Sequence, residues 1–273
     1  MTSLEGWGST VELHPHGAFA KGAPPTGSVP ALAAASRAGL GRRASWHGWL
    51  VRGGFAVGYL RGRPGTHGYL AVLLTTHVVV FHLLPEAAKQ RMLRGISTNL
   101  AAMGWSSPLR LIGSALVVDA SGSLLNIALI VVVGIWVCLG RLEYRMGTVR
   151  AFGVFAAAHV LASLLVLIVV AAAVRSGHYP EAVTHELDYG VSYGALGAVG
   201  AATWLVPTWV RPLWAAFALL YPLTAADWYG WLPDYSSVGH VLSAAIGIGV
   251  AAVLVRYGRA QAGEPVPGSS AIR

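Results

Sequence analysis

Apolar positions fall into six long runs, separated by polar stretches or by stretches rich in glycine and proline. The runs cover roughly His67–Leu84, Ser123–Gly140, Ala151–Val174, Tyr189–Thr208, Leu213–Ala226 and Ser236–Val255, and none contains Asp, Glu, Lys or Arg. A hydrocarbon core of about 30 Å takes about 20 mostly apolar residues per helix. The pattern therefore predicts an all-α, polytopic membrane protein with six spans. The fifth run is the shortest. It leads into Trp228, Tyr229 and Trp231, an aromatic cluster suited to the headgroup level.

The segments outside the runs set the organisation. Residues 1–66 hold Gly, Pro, Ser, Ala and scattered Arg, and read as a basic, mostly flexible tail. Within it, Ser45–Arg63 mixes aromatic and basic residues in the manner of an interfacial segment. Residues 67–257 form the membrane domain, and 258–273 read as a disordered tail. The start, MTSLEGWGST, lacks the basic and apolar regions of a cleaved secretory signal. Between the first two runs, residues 85–122 are half apolar and predict short helices lying at the membrane surface. The turn between the second and third runs, Arg141–Arg150, is short and charged.

Charge orients the bundle. With both ends inside, the inner segments carry 14 of the 19 Lys and Arg, and the outer segments carry only Lys89, Arg91, Arg94, Arg110 and Arg175. The positive-inside rule then puts both termini in the cytoplasm, with the plasma membrane as the expected location. In this setting the net charge of +8 reports topology and contact with the lipid bilayer rather than nucleic acid, for which no motif is present. Charged residues make up 11% of the chain, too few to cover the surface of a soluble domain of this size. A single cysteine, Cys138, excludes an intramolecular disulfide and a multi-cysteine metal site.

Candidate chemistry sits in the fourth and sixth runs. The fourth opens Gly190-Val191-Ser192-Tyr193-Gly194, a G-x-S-x-G pattern with no preceding strand, which removes the α/β-hydrolase reading. Gly190, Gly194, Gly197 and Ala201 share a helical stripe that suits close helix packing, and Ser192 lies on the far side of it. In the sixth run His240 shares a face with Ser243, Ala244 and Gly247. A polar ring at membrane depth marks a functional residue by default. Counted from the outer boundary at 1.5 Å per residue, Ser192 and His240 both lie about 5–8 Å deep. A hydroxyl and an imidazole at one depth are what a serine nucleophile and its general base require.

These features resemble the rhomboid intramembrane serine proteases and their pseudoprotease relatives. The resemblance covers about Gly68–Tyr257: the Gly190–Ala201 segment, His240 with Ser243 and Gly247, the long first outer segment, and Glu143, Arg145, Gly147 and Arg150 in the charged turn. It implies a six-helix rhomboid-like bundle in which Ser192 and His240 form a catalytic dyad cleaving membrane-anchored substrates near the outer face, with no cofactor and no metal. It also implies that Asn126 helps to hold the oxyanion. The alternative it carries is a catalytically inactive member that binds or routes membrane proteins. Three departures stand out. Gly122 occupies the position of a histidine partner of Asn126, Asn126 lies further from Glu143 than the pattern suggests, and Tyr193 follows the serine where glycine is usual.

Other residues take quieter expectations. Asp119 is placed to cap the second span. His77 and His82, five apart, lie roughly 140° apart on an α-helix and so do not share a face for haem or metal. His159 is expected to make an interhelical hydrogen bond. The spans hold no chain of acids of the kind proton-coupled transport uses.

Overall fold

The computed structural model describes residues 62–103, 107–119 and 123–261. The expected N-terminal tail up to residue 61, nearly all of the interfacial stretch, Gly122 and the tail from 262 onward lie outside the described residues. Helix α1, Pro64–Val78, runs on through a π-helical stretch, Val79–Leu83. In the first outer segment lie α2, Glu86–Ile96, and α3, Ser107–Ser114. These are the short helices expected there, with Leu109 and Ile112 exposed. The second span comprises α4, Leu124–Ala128, an eleven-residue π-helical stretch, Leu129–Leu139, and α5, Gly140–Met146. Then come α6, Thr148–Arg175, α7, Ser192–Ala201, α8, Arg211–Leu220, and α9, Tyr235–Gln261. A two-stranded hairpin, β1 Trp228–Tyr229 and β2 Leu232–Pro233, turns at Gly230 before α9.

Among the described residues four helices are long and apolar enough to cross a membrane: Pro64–Leu83, Leu124–Met146, Thr148–Arg175 and Tyr235–Gly258. The fourth and fifth expected spans are shorter. Each is a ten-residue α-helix followed by a short 3₁₀ turn, Ala202–Trp204 and Tyr221–Ala225. The shortness of α7 has a physical reason. Every residue from Tyr193 to Ala201 is buried by neighbouring helices, so its length is not matched to lipid. Gly134 of the second span lies against Ala195, Gly194 against Phe155, and Gly197 against Ala158 of α6. On the other side Gly200 meets Ala244, and Gly197 meets Gly247 and Ser243 of α9. The predicted glycine stripe therefore packs as expected from Gly194 onward. Gly190 instead precedes the helix, with φ +129°, a conformation that glycine adopts without strain.

At one end of the long helices the charged turn is a buried joint. The Glu143 carboxylate accepts from the Gly65 N–H at 2.9 Å and the Thr66 N–H at 2.7 Å. The Thr66 and Thr148 hydroxyls add bonds at 2.6 and 2.7 Å. One acid thus satisfies free N–H groups at the start of α1 and holds the first residue of α6. Gly147, at φ +85°, makes the reversal between α5 and α6. Glu143→Ala would strand these donors and is expected to cost about 3 kcal/mol or more, with Glu143→Gln intermediate, as read from unfolding in mixed micelles.

At the opposite end the segment carrying α2 and α3 is stitched to the chain entering α7. The Thr98 N–H bonds the Asp188 carbonyl at 2.7 Å, the Gly190 N–H bonds the Ser114 carbonyl at 3.2 Å, and the Val191 N–H bonds the Val117 carbonyl at 2.9 Å. The second span is capped by Ser123, whose hydroxyl accepts from the Asn126 N–H. Asp119 is therefore not its cap, contrary to expectation. It lies beside Gly190 and takes a 3.5 Å contact from the Tyr189 hydroxyl.

Candidate functional site

Ser192 is the first residue of α7, directly after the Gly190–Val191 turn that the first outer segment holds in place. His240 lies one turn into α9. The two helices run in parallel, in a register fixed by their smallest residues. Tyr193 abuts Gly239 and His240, its carbonyl accepts from the Ser243 hydroxyl, and Gly197 abuts Ser243 and Gly247. Ser192 therefore begins its helix at the level of His240. Among the described residues no hydrogen bond joins the Ser192 hydroxyl to the imidazole. His240 Nε2 is buried without a hydrogen-bond partner.

A cavity of about 260 Å³ lies between the Leu124–Met146 helix, α7, α8 and α9. His240 and Asn126 both line it, with Leu196, Phe217 and Tyr221. Its rim carries Asp227 and Asp234. Asp234 caps α9 by accepting from the Ser237 N–H at 3.0 Å and also accepts from the Asp227 N–H at 3.2 Å. The structure thus brings Asn126 and His240 to one cavity, while Ser192 is not among the residues that line it. Asn126 Oδ1 accepts from the Tyr221 hydroxyl at 2.9 Å, which leaves its amide N–H₂ as the available donor.

Tyr193, the bulky residue after the serine, points into the bundle and is buried. Its ring fits only because position 239 is glycine: a Cβ there would lie 2.5 Å from the tyrosine hydroxyl. The ring meets the His240 imidazole edge to face, with centroids 5.2 Å apart and planes at 72°. Its hydroxyl donates to Asp188 Oδ1 at 3.3 Å. The sequence reading sought an acid within the spans and did not single out Asp188 as a site residue. The available signal was its position five residues before Tyr193, just outside the fourth run.

The other histidines divide. His159 Nε2 lies 3.1 Å from the Ser114 hydroxyl and 3.0 Å from the Leu111 carbonyl, with Ser114 and His159 both buried. This tie between the third span and the first outer segment is the interhelical bond expected of His159. His77 and His82 correct the sequence reading. Their ring centroids are 5.5 Å apart, because the chain after Val78 winds as a π-helix and brings residues five apart onto one face. Among the described residues no group of three or more His, Cys, Asp or Glu could hold a metal ion.

A family model described as rhomboid-like protein matches residues 58–262. No curated protein and no solved structure matches the chain.

Proposed function

The chain belongs to the rhomboid-like protein family, and from that premise we propose that this integral membrane protein is an intramembrane serine endopeptidase. It cleaves membrane-anchored substrates near the outer face, in the plasma membrane, with both termini in the cytoplasm. The observation that carries the reading is the unpartnered, buried Nε2 of His240, at the level of Ser192 and beside a cavity that Asn126 also lines. Ser192 Oγ attacks the scissile carbonyl carbon as His240 Nε2 takes its proton, and the imidazolium returns that proton to the leaving amine. Water then hydrolyses the acyl-serine by the same exchange. The Ser192 N–H, free at a helix N-terminus, and the Asn126 amide N–H₂ hold the oxyanion. Substrates carry small or helix-breaking residues near the cut, because a stable helix hides the carbonyl from attack.

A fluorophosphonate, which needs an activated serine, tests this directly in the purified full chain. Labelling that disappears in Ser192→Ala is the expected result, and a folded wild-type sample that takes no label would count against it. Asn126→Ala is expected to slow cleavage about 10²-fold, and an unchanged rate would remove Asn126 from the oxyanion site. A second reading, an inactive member that binds or routes membrane proteins, is favoured by two observations: among the described residues Ser192 and His240 share no hydrogen bond, and Tyr193 packs on the imidazole. Catalytic hydrogen bonds are often long before substrate binds, so the first reading is preferred.

A further inference from the structure

The ring that touches His240 belongs to a chain of contacts that leaves the membrane. Tyr193 packs edge to face on the imidazole, and its hydroxyl reaches Asp188 Oδ1 at 3.3 Å. The other carboxylate oxygen of Asp188, Oδ2, accepts from the Thr98 hydroxyl at 3.1 Å. The Asp188 N–H bonds the Ser97 hydroxyl at 3.0 Å, and its carbonyl takes the Thr98 N–H. The first outer segment therefore grips Asp188 on backbone and side chain, Asp188 grips Tyr193, and Tyr193 faces His240. We propose that Tyr193 is the positioning residue of His240 and that the carboxylate of Asp188, through the tyrosine hydroxyl, sets how firmly that ring holds the imidazole.

The arrangement is specific to this chain's own residues. Tyr193 stands where the sequence resemblance expects glycine, and Gly239 opens the slot that receives it. Among the described residues the hydroxyl has one hydrogen-bond partner, so loss of the Asp188 charge changes what holds the ring. The charged and titratable groups around this chain are Tyr235 and Asp234 at the start of α9, Glu186 two residues before Asp188, and His159 of α6, whose ring centroid lies 6.4 Å from that of Tyr193. Asp234 lines the same cavity as His240. Among the described residues no cation pairs with Asp188. Burial pushes Asp188 up to about 6, against the Thr98 and Tyr193 hydrogen bonds that favour its ionised form. The sign for stability follows. The folded chain binds this proton more tightly than the unfolded chain, so the associated stabilisation is complete below about pH 4 and is lost as pH rises through about 6. Acidification across pH 6 does not unfold the protein through this group, and its effect on His240 can be read locally.

This inference builds on the Ser192–His240 reading, but its readout is the His240 ring rather than turnover. The full chain in nanodiscs, labelled with ¹³C and ¹⁵N at histidine, is titrated from pH 4.5 to 8, with His240 assigned by difference against His240→Gln. Ring protonation is recognised because it makes the two nitrogens alike, whereas a shift under the Tyr193 ring moves the Cε1–H signal alone. Wild type is expected to show a Cε1–H inflection near pH 6. Asp188→Asn and Tyr193→Phe, which keep the packing, are expected to lose it. Thr98→Val removes a donor to the carboxylate without touching His240 and is expected to move the inflection up by about one pH unit. The same profile in wild type, Asp188→Asn and Tyr193→Phe would overturn the proposal. Absence of fluorophosphonate labelling together with the expected profiles would remove the protease reading and leave the positioning role standing.

Discussion

His240→Ala is expected to lower cleavage of a single-span substrate in liposomes by about 10⁴-fold or more, and Ser192→Ala by a similar factor. The size follows from the division of labour. Without the imidazole no base is in place to take the serine proton, since the acids that line the cavity, Asp227 and Asp234, sit at its rim, beside the hairpin and at the cap of α9. The double variant should be no worse than either single one, because the two groups act as a unit. Residual cleavage would come from oxyanion donors and substrate positioning. Wild type and His240→Ala cleaving a panel of substrates at equal rates would end the dyad. A His240→Gln variant guards against a packing artefact, since it keeps polar volume beneath Tyr193 but cannot accept and return the proton.

Gly247→Ala is expected to destabilise the fold by about 3 kcal/mol, at the top of the usual range for overpacking. A methyl group there would run into the Gly197 carbonyl oxygen, and one at Gly200 into the Ala244 carbonyl. In both cases the obstacle is helix backbone, which cannot turn aside as a side chain can. Gly249→Ala is the control. Nothing lies within 4 Å of a Cβ at that position, so the change should be neutral or stabilise α9 by a fraction of a kcal/mol. Reversible unfolding in mixed micelles separates the two. Equal stability of Gly247→Ala and Gly249→Ala would mean that the fourth and sixth spans do not meet backbone to backbone. Because this contact sets the level of Ser192 against His240, even a folded Gly247→Ala protein should lose activity.

The apolar runs predicted where the long helices lie because the bilayer imposes one length on any helix that faces it. They did not predict the shortness of α7, since a helix enclosed by protein escapes that rule. The small residues of the sixth run were readable as a contact face, and Ser243, Ala244 and Gly247 all meet the fourth span. The joint at Glu143 was visible only as a charged turn, because its partners, Gly65, Thr66 and Thr148, come from two other segments. Asp188 was missed for a related reason. Its reach to the imidazole depends on the inward direction of Tyr193, and that direction is set by Gly239, 46 positions later in the chain. The pairing of His77 with His82 was misjudged because α-helical geometry was assumed through a stretch that winds differently.

That different winding matters most in the second span. From Leu129 to Leu139 hydrogen bonds skip one residue more than in an α-helix, so each turn stores nearly one surplus residue. The segment therefore absorbs length without displacing its ends, which explains how Asn126 reaches the cavity while Glu143 seals the opposite joint across an unusually long interval. Loss of a single codon here would not simply shorten the span. It would turn a π turn back into an α turn, leaving Asn126 at the cavity and Glu143 at its joint. For descent within the family, single-residue gains and losses in this stretch are then expected to leave the site in place, where every named side chain is retained.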